Sequence, residues 1–323
     1  MSATMTREQA AWFAETFTRL VDNVGTVVLG KDEVIRLAFT AMLAEGHLLL
    51  EDAPGTGKTQ LAKSMGATVQ GTNHRIQFTP DLLPSDVTGV SIYNQAKQQF
   101  EFHPGPIFAN IVIGDEINRA SPKTQSALLE VMEERQVTVE GHARPVNRPF
   151  MVIATQNPVE MDGTYRLPEA QLDRFLMRIG MGYPDEASEV DILRNTRRWS
   201  TVDALEAVLS GAAVQRMVEV AAGVHVSDGI LHYVRAIAAG TRSASGVRLG
   251  VSPRGSLAMV RAARVLAASE SRSYVTPEDV KHLAGPVLSH RLLLTSEAEI
   301  QGRSAGDIVA EVVNGLPVPV RRS

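Results

Sequence analysis

A chain of 323 residues is longer than one compact core usually is, so we expect two domains of unequal size. Hydrophobic residues make up 44% and charged residues 21% of the sequence, which is typical of globular proteins and argues against disorder. The net charge of −4 excludes a global basic field that would attract nucleic acid or anionic lipid. Because the sequence has no cysteine, disulfides, thiolate nucleophiles and cysteine-based zinc sites are excluded.

The opening stretch, MSATMTREQAAWFAETFTRL, carries polar and acidic residues throughout and predicts an amphipathic helix rather than a secretion signal. No stretch reaches the roughly 18 consecutive apolar residues that a membrane-spanning helix needs. The eight histidines lack the spacing of a metal site, so no structural metal is expected. We therefore expect a cytoplasmic protein without a membrane span.

Between residues 48 and 184, short apolar runs alternate with helical patterns, which predicts a parallel sheet flanked by helices. Five strands are expected, at residues 48–50, 75–78, 111–113, 151–154 and 176–180. Two inserts alternate apolar and polar residues around a turn and predict β-hairpins, namely DLLPSDVTGVSIYNQAKQQFEFHPGP and RQVTVEGHARPV.

Beyond residue 185 the strand pattern stops, and alanine-rich helical periodicity takes over. Helix N-caps are predicted at Ser227, Ser252 and Thr276, the last two directly before a proline. We therefore expect an αβα core at residues 1–188, which includes the N-terminal helix and both hairpins, and an all-α domain at residues 189–323.

The stretch HLLLEDAPGTGKTQLAKSM matches the phosphate-loop motif G-x-x-x-x-G-K-[ST] except at its first glycine. The strand, tight loop and helix that the motif requires are all indicated by the pattern. Gly55 and Gly57 allow backbone N–H groups to turn towards phosphates. Lys58 would reach the β- and γ-phosphates, and Thr59 would ligate Mg²⁺. The alternative is a glycine turn before an ordinary helix.

Two further strands end in polar residues of the kind that nucleotide hydrolysis requires. ANIVIGDEINRASP is an apolar strand that ends at Asp115 and Glu116, where open α/β sheets bind ligands. Asp115 is expected to hold Mg²⁺, and Glu116 to orient or deprotonate the attacking water. PFMVIATQNP ends near Asn157, whose amide is expected to contact that water or the γ-phosphate. The alternatives are a solvated acidic turn and an Asn-Pro turn.

Two arginines have sequence contexts that predict contact with phosphate. Arg174 lies close to the fifth strand and would either enter a neighbouring subunit's site or pair with Asp173 or Glu169 on the surface. Arg254 lies in the first turn of a helix, where the macrodipole disfavours a cation unless an anion is held nearby. This position predicts phosphate sensing, with a surface salt bridge as the alternative.

Together these motifs resemble those of the MoxR family of AAA+ ATPases, and the resemblance covers nearly the whole chain. The segments that carry it are EDAPGTGKT, FTPDLLPSDVTG, GPIFANIVIGDEINRA, MVIATQNPVEMDGTYRLPEAQLDRF and VSPRGSLAM. Asp52 stands at the first glycine of the phosphate loop, where members of the family commonly have a Glu-Asp or Glu-Gly pair. One departure is Gly114, where alanine is more usual; it should be tolerated, although it could loosen the strand end.

The resemblance implies a role for each candidate residue. Walker A supplies the nucleotide-binding residues Pro54, Gly55, Thr56, Gly57, Lys58, Thr59 and Gln60. Walker B supplies Asp115 and Glu116, and the Mg²⁺ ligands are Thr59 and Asp115. The remaining assignments are Asn157 as sensor 1, Arg174 as arginine finger, Arg254 as sensor 2, Gln77 as a residue that restrains Glu116, and Val28 to Gly30 as the adenine-side pocket.

The resemblance implies an α/β P-loop core of the AAA+ type, an all-α C-terminal lid, and ATP and Mg²⁺ as cofactors. It implies a homo-oligomer, a hexameric ring, that hydrolyses ATP between subunits, either to remodel or mature client protein complexes or to insert metal cofactors. A von Willebrand factor A-type partner is expected, and nucleic acid is not. A P-loop small-molecule kinase and a nucleic-acid motor or clamp loader remain the alternatives. Whether Arg254 acts in its own subunit or in a neighbour stays open.

Overall fold

The computed structural model describes residues 4–157, 164–194 and 202–319. Its strands are β1 (Leu48–Glu51), β2 (Val69–Gln70), β3 (Asn73–Gln77), β4 (Gly89–Asn94), β5 (Gln99–Pro104), β6 (Ile111–Asp115), β7 (Gln136–Val139), β8 (His142–Pro145), β9 (Met151–Gln156), β10 (Met177–Ile179), β11 (Leu209–Ser210), β12 (Val247–Leu249) and β13 (Leu293–Leu294). Its helices are α1 (Arg7–Gly25), α2 (Asp32–Leu43), α3 (Lys58–Thr68), α4 (Pro84–Thr88), α5 (Pro122–Glu134), α6 (Glu169–Leu172), α7 (Glu186–Arg194), α8 (Gly211–Ala222), α9 (Asp228–Ser243), α10 (Pro253–Ser269), α11 (Pro277–Leu288), α12 (Ser296–Ile300) and α13 (Ala305–Gly315).

A five-stranded parallel sheet in the order β10-β1-β9-β6-β3 forms the centre of the fold. Each strand overlaps one of the five predicted runs, so the predicted sheet is confirmed. The residues of β1, β6 and β9 are almost all buried, which explains why these strands read as uninterrupted apolar runs. Because the strands are parallel, their carboxyl ends meet at one edge of the sheet, where the polar residues begin.

Both predicted hairpins are present as antiparallel pairs outside the central sheet. β4 pairs with β5, and β7 pairs with β8. On the first hairpin, Tyr93 and Phe100 pack edge to face, yet both rings are largely exposed. An exposed apolar surface of this kind on a projecting hairpin is suited to contact with another protein.

The N-terminal segment forms the predicted amphipathic helix, α1. Thr6 caps it and forms a capping box with Gln9, and the fully buried rings of Phe13 and Phe17 lie on its inner face. This face packs against α2, α8 and α10. The N-terminal helix therefore contacts both the sheet-containing half and the helical half of the chain.

The second half of the chain is helical, and its predicted caps are confirmed. Ser227, Ser252 and Thr276 each accept a backbone N–H from the first turn of their helix. The structure adds two short strand pairs, β2 with β11 and β12 with β13, which are too short to give an alternating pattern. The boundary expected at 188/189 falls inside α7, and one hydrophobic cluster extends through both halves, so this division stays a prediction. Among the described residues, no helix has both the length and the apolar character required to cross a bilayer.

Candidate functional site

The loop between β1 and α3 has the backbone conformation that a phosphate cradle needs. Gly55 and Gly57 have φ values of 81° and 93°, in the left-handed region where side chains are disfavoured. Gly57 is also the N-cap of α3, so the unpaired N–H groups of the first helical turn face the loop. Successive inward N–H groups at a helix N-terminus form an anion site, as the motif predicts.

Asp52, at the position of the missing first glycine, links this loop by a hydrogen bond to the loop that follows β10. Its Oδ1 accepts a hydrogen bond from the N–H of Ala53 at 2.7 Å, and its Oδ2 accepts one from the N–H of Gly182 at 2.5 Å. Gly182 follows β10, the strand next to β1. The aspartate is therefore an added tether between two loops of the site, which a glycine would lack.

Lys58 and Thr59 open α3 towards the cleft. The Lys58 ammonium group donates to the carbonyl oxygens of Asp52 at 2.5 Å and Ala53 at 2.7 Å, so it lies across the mouth of the loop. The Thr59 hydroxyl donates to Oδ1 of Asp115 at 3.1 Å. A hydroxyl and a carboxylate side by side are the oxygen ligands that Mg²⁺ prefers, so these residues fit the predicted metal.

The Asp115 carboxylate is almost fully buried, at 2% exposure, and it has two further partners. The Thr155 hydroxyl donates to its Oδ1 at 3.3 Å, and Nε of Arg75 donates to its Oδ2 at 2.6 Å. A buried carboxylate requires such compensation, because removing a charge from water is costly without a partner. Both oxygens of Asp115 are therefore oriented by fixed donors.

Glu116 is held from three sides at the end of β6. Its backbone adopts φ = 58°, an uncommon conformation for a non-glycine residue, and its N–H donates to the Thr155 hydroxyl at 3.0 Å. Gln77 donates from Nε2 to the Glu116 carboxylate at 2.9 Å, and Arg119 forms an ion pair with it at 3.2 Å. Arg75 in turn donates to Oε1 of Gln77 at 3.0 Å. Gln77 therefore contacts the residue that it was predicted to restrain.

These side chains surround a cleft of about 800 Å³. The predicted residues that line it are Val28, Pro54, Gly55, Thr56, Gly57, Lys58, Thr59, Gln60, Gln77, Asp115, Glu116 and Asn157. Thr26 to Leu29, Pro184 and Ile192 close one side with mainly apolar surface, which suits an adenine ring. Gly30 lies beside the cleft rather than in its lining: its φ is 67°, and a Cβ there would meet Ser188 of α7.

The two predicted phosphate-contacting arginines lie together, but outside this cleft. Nε of Arg174 is 3.1 Å from Oε2 of Glu133, and Nη1 of Arg254 is 3.2 Å from Oε1 of the same carboxylate. The surface partners expected for Arg174, Asp173 and Glu169, are replaced by Glu133. Glu133 lies in the last turn of α5, at the end of that helix remote from Glu116.

Sequence reasoning missed Arg75, Thr155 and Glu133, and it considered Asp173 only as a surface partner of Arg174. Arg75 and Gln77 are two residues apart on β3 and therefore lie on the same face of the strand. This spacing could have predicted that Arg75 lies beside Gln77 in the site. Glu133 gave no such signal, because its partners are 41 and 121 residues away in the sequence. Within the described part of the chain, no group of three or more acidic or histidine side chains is arranged as a metal site.

Residues 47–177 match the family model described as ATPase family associated with various cellular activities, and residues 230–312 match the AAA lid domain. The chain is 40% identical to the chaperone MoxR1 of Mycobacterium tuberculosis, over 94% of this chain and 82% of the relative. It is 49% identical to the uncharacterized protein YeaC of Bacillus subtilis, over 94% of this chain and 95% of that one. A crystal structure of a candidate ATPase from Cytophaga hutchinsonii matches with a TM-score of 0.89 and 38% identity, covering 96% of this chain and 97% of the other.

A parallel αβα core with a phosphate loop, followed by a helical lid, defines an AAA+ ATPase, and the predicted fold is confirmed. Within that class, the chain belongs to the MoxR family.

Proposed function

We propose that this chain hydrolyses ATP at the subunit interfaces of a hexameric ring and uses the energy to remodel client protein complexes. The observation that carries the proposal is the separation of two sets of residues: the phosphate loop and acidic pair lie at one edge of the sheet, and Arg174 and Arg254 lie elsewhere. A single subunit then holds one half of two different catalytic sites. Assembly of a ring brings each half to its complement.

Within one subunit, the residues divide the work of hydrolysis. Lys58 and the N–H groups of the loop bind the phosphates, and Thr59 with Asp115 holds Mg²⁺, which neutralises charge on the phosphate oxygens when bound. Glu116 acts on the attacking water as base or orienting group. Asn157 at the end of β9 lines the same cleft and contacts the water or the γ-phosphate.

The positions of the two arginines support action on a neighbour's phosphate. Arg174 precedes β10, whereas the phosphate loop follows β1, and these strands are parallel neighbours. The four residues of β1 span about 13 Å, so Arg174 lies near the amino ends of these two strands and the phosphate loop lies at their carboxyl ends. Arg254 pairs with the same carboxylate as Arg174, and it therefore acts in trans with it rather than in its own cleft.

The ring would act on its clients through the two hairpins and the lid. The exposed aromatic side chains of Tyr93 and Phe100 give the first hairpin an apolar surface for a protein client. The relative from Mycobacterium tuberculosis is named a chaperone, which supports maturation of protein complexes as the class of task. A von Willebrand factor A-type protein is the expected partner.

The catalytic assignment is tested with two variants of one cleft. Glu116→Gln keeps the shape of the side chain but removes the base, so it should bind MgATP and lose turnover. Lys58→Ala removes a phosphate contact and should weaken binding itself. Binding is measured with a fluorescent ATP analogue and turnover by phosphate release without an added acceptor. If Glu116→Gln hydrolyses ATP at the parental rate, the assignment fails.

The ring model is tested by mixing two inactive variants. Arg174→Ala subunits keep an intact cleft, and Lys58→Ala subunits keep an intact arginine, so mixed rings should exceed the summed activity of the separate preparations. The effect of a finger on rate is roughly 10³- to 10⁵-fold, which leaves wide room to detect rescue. Sizing of differently tagged subunits, with a nonhydrolysed ATP analogue, must first establish mixed rings. Mixed rings without rescue would exclude action of Arg174 in trans.

A further inference from the structure

One carboxylate, Glu133, is shared by both arginines of the trans pair. Glu133 is the penultimate residue of α5, which ends where Arg135 turns into a left-handed conformation with φ = 53°. The arginines reach it from different parts of the fold, Arg174 from the segment before β10 and Arg254 from the first turn of α10 in the lid. Three elements therefore converge on one side chain.

The way in which Glu133 holds Arg174 leaves the phosphate-binding end of that arginine accessible. The carboxylate pairs with Nε, the inner nitrogen of the guanidinium group. The two outer amino groups of Arg174 make no hydrogen bond to any residue in the described ranges, and the side chain is 26% exposed. Arg254 is held through one terminal nitrogen and is 44% exposed. Each guanidinium group keeps donors that a phosphate can accept from.

The charges also do not balance at this position. Two guanidinium groups share one carboxylate, so the cluster keeps a net positive charge and attracts a further oxyanion. Exposed ion pairs of this kind contribute little to stability. These ion pairs matter more for the orientation of the arginine side chains. An arginine that is already held in one rotamer loses less conformational entropy when it binds a phosphate.

We propose that Glu133 is a positioning residue of the ATP site formed between two subunits. It aligns the guanidinium groups of Arg174 and Arg254 towards the phosphates bound by the neighbouring subunit. The inference rests on the ring-interface function proposed above and extends it to a residue that touches neither nucleotide nor metal. Glu133 also couples the lid to the core, because its carboxylate holds Arg254 of the lid and Arg174 of the core at a fixed separation.

The test compares Glu133→Gln with a matched control, Glu134→Gln, which removes the adjacent charge on the same helix. Glu134 forms no ion pair with any residue that the structure describes. Glu133→Gln should lower kcat by about 10- to 100-fold, since small misplacements of a catalytic group cost this much. ATP binding to its own cleft and the thermal midpoint should match those of Glu134→Gln. Glu133→Asp, which keeps the charge on a shorter side chain, should retain part of the turnover.

Mixed rings separate this inference from the function on which it rests. Glu133→Gln subunits should be rescued by Lys58→Ala subunits, as Arg174→Ala subunits are, because the defect lies on the face presented to a neighbour. Parental kcat in Glu133→Gln, or rescue of Arg174→Ala but not of Glu133→Gln, would overturn the positioning role and leave the ring function intact. If neither variant is rescued in rings of established mixed composition, the ring-interface function itself fails.

Discussion

At the residue scale, His47 joins two elements through both nitrogens of its ring. Its Nδ1 accepts the N–H of Val152 at 3.0 Å, and its Nε2 donates to the carbonyl oxygen of Met132 at 3.0 Å. An acceptor on one nitrogen and a donor on the other require the neutral ring. Complete burial is the main cause that lowers the pKa of His47 from 6.5 to about 4; the charges of Arg135 and Arg261 act in the same direction, and the hydrogen bond to Met132 opposes them.

This histidine should make stability depend on pH. Because its folded pKa is depressed, its contribution is fully present above pH 6.5 and is lost as pH falls towards 4, by about 3 kcal/mol. We expect the free energy of unfolding, measured with urea between pH 7 and pH 4, to fall by that much more in the parent than in His47→Asn. His290 contributes a separate slope, because burial and Arg291 lower its pKa as well.

The matched control is His103→Asn, which changes an exposed histidine on β5 and should keep the parental slope. If the free energy of unfolding depends on pH equally in the parent and in His47→Asn, the folded protein tolerates the charged ring of His47 and the prediction is wrong.

At the element scale, β6 shows why a glycine precedes the acidic pair. A Cβ on Gly114 would lie 3.0 Å from Cε2 of Phe78, a fully buried ring that covers this face of the strand. The sequence suggested that Gly114 could loosen the strand end. In the structure, Phe78 fills the space of the missing side chain, and β6 stays paired on both sides.

Gly114→Ala should therefore destabilise the protein although alanine is smaller than most strand residues. The contact with Phe78 is too short by several tenths of an ångström, and overpacking of this kind costs about 1–3 kcal/mol. The lower unfolded-state entropy of alanine offsets about 0.4–1 kcal/mol of that loss. Combining Gly114→Ala with Phe78→Leu should cost less than the sum of the single changes in a double-mutant cycle measured by urea unfolding. Additive effects would mean that Phe78 does not set the requirement for glycine.

The elements that the sequence predicts well are those that depend on local pattern. The five central strands follow from buried apolar runs, the hairpins from alternation, and the caps from single residues such as Ser252 and Thr276. The parts that it misses depend on the distance between residues that are remote in the chain. Arg75 beside Asp115, and Glu133 between two arginines, exist only once the sheet and helices are packed.

At the scale of the whole molecule, one buried cluster fixes the lid to the core. The Arg291 side chain, only 3% exposed, donates to Oδ1 of Asp173 at 2.7 Å and to the carbonyl oxygens of Phe175 and Leu176. The hydroxyl of Ser252, the N-cap of α10, donates to Oδ2 of Asp173 at 3.2 Å. Asp173 directly precedes Arg174, the proposed arginine finger, so the residue that attaches the lid also anchors the backbone beside Arg174.

Breaking this cluster should lower the free energy of unfolding and loosen the attachment of the lid to the core. Arg291→Met keeps the length of the side chain but leaves Asp173 without its cation, and removal of one partner of a buried pair costs about 3–5 kcal/mol. Asp173 is partly exposed, so we expect a loss near the lower end of that range in urea unfolding. Adding Asp173→Asn should restore part of it, because the uncompensated charge is then gone.

The control for lid attachment is Arg272→Met, which breaks the ion pair with Asp279 inside the helical half and leaves the joint intact. Hydrogen exchange should then increase at residues 173–176 in Arg291→Met but only around α10 and α11 in Arg272→Met, because only Arg291 contacts the segment before β10 that carries Arg174. If exchange at 173–176 stays at the parental level in Arg291→Met while stability falls, Arg291 serves the packing of the lid alone. The position of Arg174 would in that case not depend on the attachment of the lid through Arg291.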